Sequence, residues 1–107
     1  MTSQIEKIAR LMGFEFEDHI EPRARKHNGV ASPWNPKTSM ADLMELECEI
    51  GIDVQWSVHR VYAGFEPNDE MNPISETSYI SHFSDKFTAR AHAVCAVAEQ
   101  IYDKGQV

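Results

Sequence analysis

A run of strictly alternating side chains in the middle of the chain limits its fold most strongly. Over residues 52–59 every second position is apolar, namely Ile52, Val54, Trp56 and Val58. A period of two predicts a half-buried strand, and we expect these four side chains to face the core. The alternation blurs over residues 60–62, which we interpret as a bulge. The β-rich segment 77–83 is then predicted to be the return strand of an antiparallel hairpin.

Three segments carry helix start signals followed by apolar residues at helical spacing. The first, about residues 4–12, opens on a Ser-x-x-Glu capping box at Ser3. The second begins at Ser39 and ends at Gly51. Its predicted buried stripe is Met40, Leu43, Met44 and Cys48, widened by Leu46 and Ile50. The third is capped by Ser84 or Asp85, and its predicted buried stripe is Phe87, Ala91, Val94, Ala98 and Ile101.

The front of the chain has a weaker pattern. Residues 14–17 alternate and predict a short strand, whereas residues 18–37 contain three prolines and predict a long loop. The predicted order is therefore α-β-α-β-β-α. We expect one α+β domain over residues 1–107, in which a two- or three-stranded antiparallel sheet is packed with three helices.

Composition favours a cytoplasmic protein without a membrane anchor. No apolar run approaches the roughly 20 residues that span a bilayer. Residues 1–11 lack the apolar core of a signal peptide. Cys48 and Cys95 both fall in apolar helical patterns, so we predict two buried, reduced thiols.

Acidic residues are concentrated in the middle of the chain. Residues 38–85 hold ten acids against Arg60 alone, a net charge of −9 within an overall −7. This disfavours direct binding to nucleic acid or anionic membranes and suits a basic protein partner, although it also fits a merely solvated surface. The first hypothesis is a non-enzymatic interaction module with a surface formed by Trp34, Glu45, Glu49, Glu66, Asp69 and Glu70. The predicted hairpin has an edge strand without a partner, so a homodimer formed through that edge is an alternative.

A basic cluster in the predicted loop supports a different hypothesis. Guanidinium groups grip phosphate, so a small anionic ligand or nucleotide would be held by Arg23, Arg25, Lys26 and Arg60. The competing interpretation is a loop whose charges pair with nearby acids at the surface.

A metal-dependent hydrolase is the third hypothesis. Two groupings of side chains are candidates for a metal site, His59 with His82, and His82 with Asp85 and His92. Neither has the ligand spacing of a zinc signature, and no nucleophile motif or phosphate-binding glycine loop occurs. We therefore predict no catalytic residue, no metal and no cofactor.

One stretch resembles a known group of proteins. Trp34-Asn35-Pro36-Lys37-Thr38 leads into a helix, Gly51-Ile52-Asp53-Val54 into a hairpin, and a final helix carries Arg90-Ala91-His92-Ala93-Val94-Cys95. Over residues 34–102 this resembles small bacteriophage proteins of the ABA-sandwich and NinX-like type. The resemblance implies a sheet covered by helices, a phage or prophage origin and no assigned enzymatic role. It carries over no catalytic residue. The first hypothesis then becomes a phage-encoded module that acts on a host or defence factor.

Overall fold

The structure, a computed structural model, describes residues 3–18, 22–25, 31–66 and 73–105. Within them the chain forms three α-helices, six strands and one 3₁₀ turn. In chain order the elements are α1 Gln4–Leu11, β1 Glu15–Asp18, β2 Pro22–Arg25, β3 Ala31–Pro33, α2 Met40–Ile50, β4 Asp53–Trp56, β5 Arg60–Phe65, β6 Ile74–Tyr79, the 3₁₀ turn Ile80–His82 and α3 Lys86–Asp103.

The predicted helix start signals are confirmed. The side chains of Ser3, Ser39 and Asp85 accept hydrogen bonds from the backbone N–H groups of Glu6, Asp42 and Thr88. Each bond satisfies one of the N–H groups that a helix leaves free at its first turn. The second helix ends at Gly51, whose φ of 88° lies in the left-handed region that glycine adopts without strain.

The strands form two antiparallel sheets, in the orders β1-β2-β3 and β4-β5-β6. The α+β class and the three helices are therefore as the sequence predicted. The return strand predicted over residues 77–83 is confirmed only as far as Tyr79, where β6 ends, and it pairs with β5 and not with β4. The predicted loop over residues 18–37 needs correction, because β2 and β3 lie within it. Ala24 of β2 is buried, and Arg25 pairs with Glu17 and Glu15 of β1, so charge pairing supports a strand whose hydrophobic pattern is weak.

The break after the alternating run is a tight turn and not a bulge. Strand β4 ends at Trp56, and the N–H of Ser57 donates to the carbonyl of Arg60 at 2.9 Å. The chain therefore returns at once as β5, and the later strand β6 pairs on the other side of it. The predicted burial is correct for Ile52 and partly so for Val54, which packs against the core. Trp56 lies opposite the buried Val61 but is 46% exposed, and Val58, on the turn, is 85% exposed, so burial was wrongly predicted for both.

The core is organised around α3, which contacts α1, α2, β5 and β6. Its predicted stripe is confirmed for Ala91, Val94, Ala98 and Ile101, which are all buried. None of the helices in the described part of the chain combines the length and the apolar character that a membrane crossing requires.

The predicted stripe of helix α2 is confirmed for its leucines and wrong for its methionines. Leu43 and Leu46 are fully buried, while Met40 and Met44 are 43% and 49% exposed. Cys48 is exposed as well, so the prediction of a buried thiol is wrong there and confirmed at Cys95. The reason is the tertiary packing against α3, to which Glu47 is tied by an ion pair with Arg90.

Candidate binding surface

The four cations predicted to grip a small anion are not brought together. Arg23 and Arg25 lie on β2 of the first sheet, whereas Arg60 begins β5 of the second. The guanidinium of Arg25 is 3.4 Å from Glu15 and 2.5 Å from Glu17, and these carboxylates neutralise it. Lys26 lies outside the described residues. Of the predicted set, Arg60 is the cation that the structure places in a groove.

The prediction that Trp34 belongs to an exposed interaction surface is wrong. Trp34 is only 1% exposed, its ring meets that of Phe14 edge-on at 5.5 Å, and its Nε1–H donates to Glu45 Oε1 at 3.1 Å. It is therefore a core anchor whose polar edge is satisfied by α2. Glu49 and Glu66 are exposed, as a surface role requires. Asp69 and Glu70 lie outside the described residues.

The outer face of the second sheet presents a different set of side chains. Along β5, Val61 and Ala63 are buried, and Arg60 and Tyr62 point to the opposite side of the sheet because side chains alternate. The partner positions on β6 are Tyr79, opposite Arg60, and Thr77, opposite Tyr62. All of these outward side chains are exposed. We call this surface the open face; its members are Gln55, Arg60, Tyr62, Thr77 and Tyr79.

A groove of about 310 Å³ runs along the open face next to the β4–β5 turn. It is lined by Gln55, Trp56, Ser57, Arg60, Tyr62 and Thr77. Tyr62 and Tyr79 are 38% and 49% exposed. Throughout the described ranges, no acidic side chain forms an ion pair with Arg60. The groove thus combines an unpaired guanidinium with accessible aromatic rings, hydroxyls and an amide.

Gly64 sets the position of Tyr62. A Cβ atom on Gly64 would lie 2.9 Å from a ring carbon of Tyr62, so the tyrosine ring rests over the bare glycine backbone. Sequence reasoning missed Tyr62 and Tyr79 as surface residues, and the buried Gly64 beneath the Tyr62 ring. They could have been found by placing a turn at residues 57–59. A new strand then begins at Arg60, and its side chains alternate afresh from that residue.

One serine–histidine pair resembles part of a catalytic site but has a structural role. Ser78 Oγ lies 3.1 Å from His92 Nδ1, and the histidine ring packs against that of Phe83 at a tilt of 43°, with centroids 4.9 Å apart. Ser78 is 3% exposed, so its hydroxyl is not open to a substrate. The pair instead joins β6 to α3.

The candidate metal groupings do not assemble in the part of the chain that the structure describes, where no three His, Cys, Asp or Glu residues come together as a metal site. Asp85, one of the candidate ligands, is committed to capping α3. The hydroxyl and the backbone N–H of Thr88 donate to its carboxylate and lower its pKa.

Comparison with protein-family models finds no match for this chain, and no curated protein matches it significantly.

Proposed function

We propose that this chain is a non-enzymatic protein-interaction module that binds its partner through the open face. The observation that supports the proposal is the placement of Arg60 between Tyr62 and Tyr79 on an exposed sheet surface. Tyrosine, tryptophan and arginine supply most of the binding energy at protein interfaces. Arg60 is also the single Lys or Arg among residues 38–85, so the open face has a positive charge within an acidic part of the sequence.

The charges of this chain indicate which charges its partner should present. An unpaired guanidinium on the open face fits a carboxylate of the partner, which it would hold with two parallel hydrogen bonds. The net charge of −7 favours a partner that is basic around this point. The partner proposed is therefore a basic protein that presents one acidic side chain to Arg60.

The resemblance of residues 34–102 to small phage proteins extends the proposal. We propose a phage origin and a partner among the proteins of the bacterial host, such as a defence factor. The resemblance lies in segments that shape helices and turns, so it supports the setting of the function and assigns no residue to it.

The experiment is affinity capture from a lysate of the bacterium that carries the gene. Four tagged chains are compared, namely the natural one, Arg60→Ala, Tyr62→Ala and the charge-matched control Arg10→Ala. Arg10 is exposed on α1 and pairs with its helical neighbour Glu6 at 2.7 Å. We expect one protein captured by the natural chain and the control, and reduced roughly tenfold by either open-face change. Equal capture by all four chains would contradict the proposal.

A second candidate function is binding of a small anionic ligand such as a nucleotide. The groove beside Arg60 has a volume of about 310 Å³, at the lower limit of small-molecule sites. Calorimetry against a panel of nucleotides distinguishes this candidate. Heat with the natural chain that Arg60→Ala abolishes would support it, and no heat from any member of the panel would end it.

A further inference from the structure

Helix α2 leaves an apolar stripe at the surface. Met40, Met44 and Cys48 recur at every fourth position, and all three are exposed. The methionines are 43% and 49% exposed, on the side of the helix turned away from Leu43 and Leu46. At 1.5 Å per residue the stripe is about 12 Å long, which corresponds to two helical turns. We call it the α2 stripe.

Four tertiary contacts fix which side of α2 faces outward. Arg90 donates to both carboxylate oxygens of Glu47, and Glu45 accepts from the indole of Trp34. The carboxylate of Asp42 accepts from the backbone N–H of Asn35 at 2.9 Å. The α2 stripe is therefore held in a defined orientation, as a preorganised binding surface requires.

The helix that carries the α2 stripe is acidic, and the cation that borders it, Arg90, lies 3.9 Å from Met40 Sδ and is paired with Glu47. Helix α2 contains four acids and no base, at Asp42, Glu45, Glu47 and Glu49. With 100° between successive residues, Glu45 and Glu49 follow the stripe on one side, and Glu47 with its partner Arg90 borders the other. The C-terminal end of the helix, which carries partial negative charge, has no base in its last turn. Lys37 lies away from the stripe, next to Phe83, Thr88, Ala91 and His92.

We infer that the α2 stripe is a second interaction surface, and that it binds a basic amphipathic helix. Methionine side chains are flexible and polarisable, so they adapt to apolar side chains of varied shape. Lysine or arginine along one edge of the apolar partner face would meet Glu49, which is exposed beside the stripe. A second copy of this chain does not fit, because α2 against α2 would place acids against acids. This surface is separate from the open face, which lies on the second sheet.

The test uses a synthetic helix of about 14 residues in which leucine forms one face and lysine the other. Its dissociation constant is measured by fluorescence anisotropy with the natural chain, Met44→Ser, Cys48→Ser, Glu49→Gln and Val58→Ser. Val58 is the matched control, because it is apolar and 85% exposed but lies on the β4–β5 turn. Circular dichroism verifies that every variant retains its helices.

We expect roughly tenfold weaker binding for Met44→Ser, because an apolar anchor is lost. Glu49→Gln is expected to weaken binding several-fold and to reduce its dependence on salt, and Val58→Ser to change neither. Equal binding by all variants would mean a non-specific attraction between opposite charges and would overturn the inference. So would equal binding of a glutamate-leucine helix of the same pattern. Dimerisation of the natural chain that Met44→Ser abolishes would identify a second copy as the occupant and overturn it too.

Discussion

Arg90 on α3 donates two hydrogen bonds to the carboxylate of Glu47 on α2, one at 2.8 Å through Nε and one at 2.5 Å through Nη2. The two side chains are 21% and 10% exposed. The pair raises the pKa of Arg90, chiefly because the hydrogen bonds to Glu47 favour its charged form. The contact joins two residues that are 43 positions apart in sequence, one on each helix. It holds α2 in the orientation that leaves Met40 and Met44 exposed.

Substitution of one residue of this pair should destabilise the fold. Arg90→Ala leaves the carboxylate of Glu47 buried without a cation, which costs about 3 kcal/mol of unfolding free energy. Replacement of both residues by leucine should restore most of the loss, because no unpaired charge remains. Urea denaturation measures both effects. The control is Arg10→Ala, which breaks an exposed pair with Glu6 and is expected to cost under about 1 kcal/mol. An equal loss in Arg90→Ala and Arg10→Ala would contradict the structural role given to the buried pair.

The two tryptophans should differ sharply in accessibility. Trp34 is 1% exposed and Trp56 46%, although Trp56 belongs to the alternating run whose apolar side chains were predicted to face the core. The measurement is tryptophan fluorescence with acrylamide as the quencher. In Trp56→Phe the emission comes from Trp34 and should be blue-shifted and resistant to quenching. In Trp34→Phe it comes from Trp56 and should be red-shifted and readily quenched. Trp34→Ala should also cost about 3–5 kcal/mol, because it empties a packed site. Similar quenching of the two single-tryptophan variants would show that the burial assigned to Trp34 is wrong.

Local signals in the sequence were sufficient to predict the helices. Ser3, Ser39 and Asp85 cap their own helices through hydrogen bonds that span three residues, so the start of each helix is encoded where it occurs. The buried stripe of α3 was also predictable, since alanine and valine leave one clearly apolar side.

Features that depend on distant partners were not predictable in the same way. Helix α2 has apolar residues on two adjacent sides, and the choice between Met44 and Leu43 is made by Arg90 from another helix. The alternation of β4 continues into the turn through Val58, so periodicity gave no sign of where the strand ends. The open face was missed for that reason, because Arg60 and Tyr62 acquire their orientation only once the turn is placed.

Stability should fall at high pH because of Cys95. Burial raises the pKa of this thiol to about 12, against 9.0 for an ordinary thiol. The folded state therefore keeps the proton over a range in which the unfolded state loses it. The stabilising contribution is complete below about pH 9 and is lost as the pH rises towards 12, at about 1.4 kcal/mol per pH unit.

The measurement is the free energy of unfolding at about pH 8 and pH 10 for the natural chain, Cys95→Ala and Cys48→Ala. All other ionisable side chains are common to the natural chain and Cys95→Ala, so the difference between these two chains isolates the Cys95 thiol. The pH dependence should be weaker in Cys95→Ala and unchanged in Cys48→Ala, since Cys48 is exposed. Identical slopes in the natural chain and Cys95→Ala would contradict the assignment.

Gly64→Ala should weaken partner capture by the open face while leaving the fold almost as stable. The new Cβ would lie 2.9 Å from a ring carbon and 3.0 Å from the hydroxyl of Tyr62, so the ring must rotate away from its place in the groove. Only the end of one exposed side chain moves, and we expect a change of under about 1 kcal/mol in unfolding free energy. Gly51→Ala is the reciprocal control, because its Cβ meets open space but its φ of +88° strains any other residue by about 1 kcal/mol. Capture should therefore fall in Gly64→Ala as it does in Tyr62→Ala, and stay unchanged in Gly51→Ala despite its lower stability. Full capture by Gly64→Ala would show that the position of the Tyr62 ring does not determine binding.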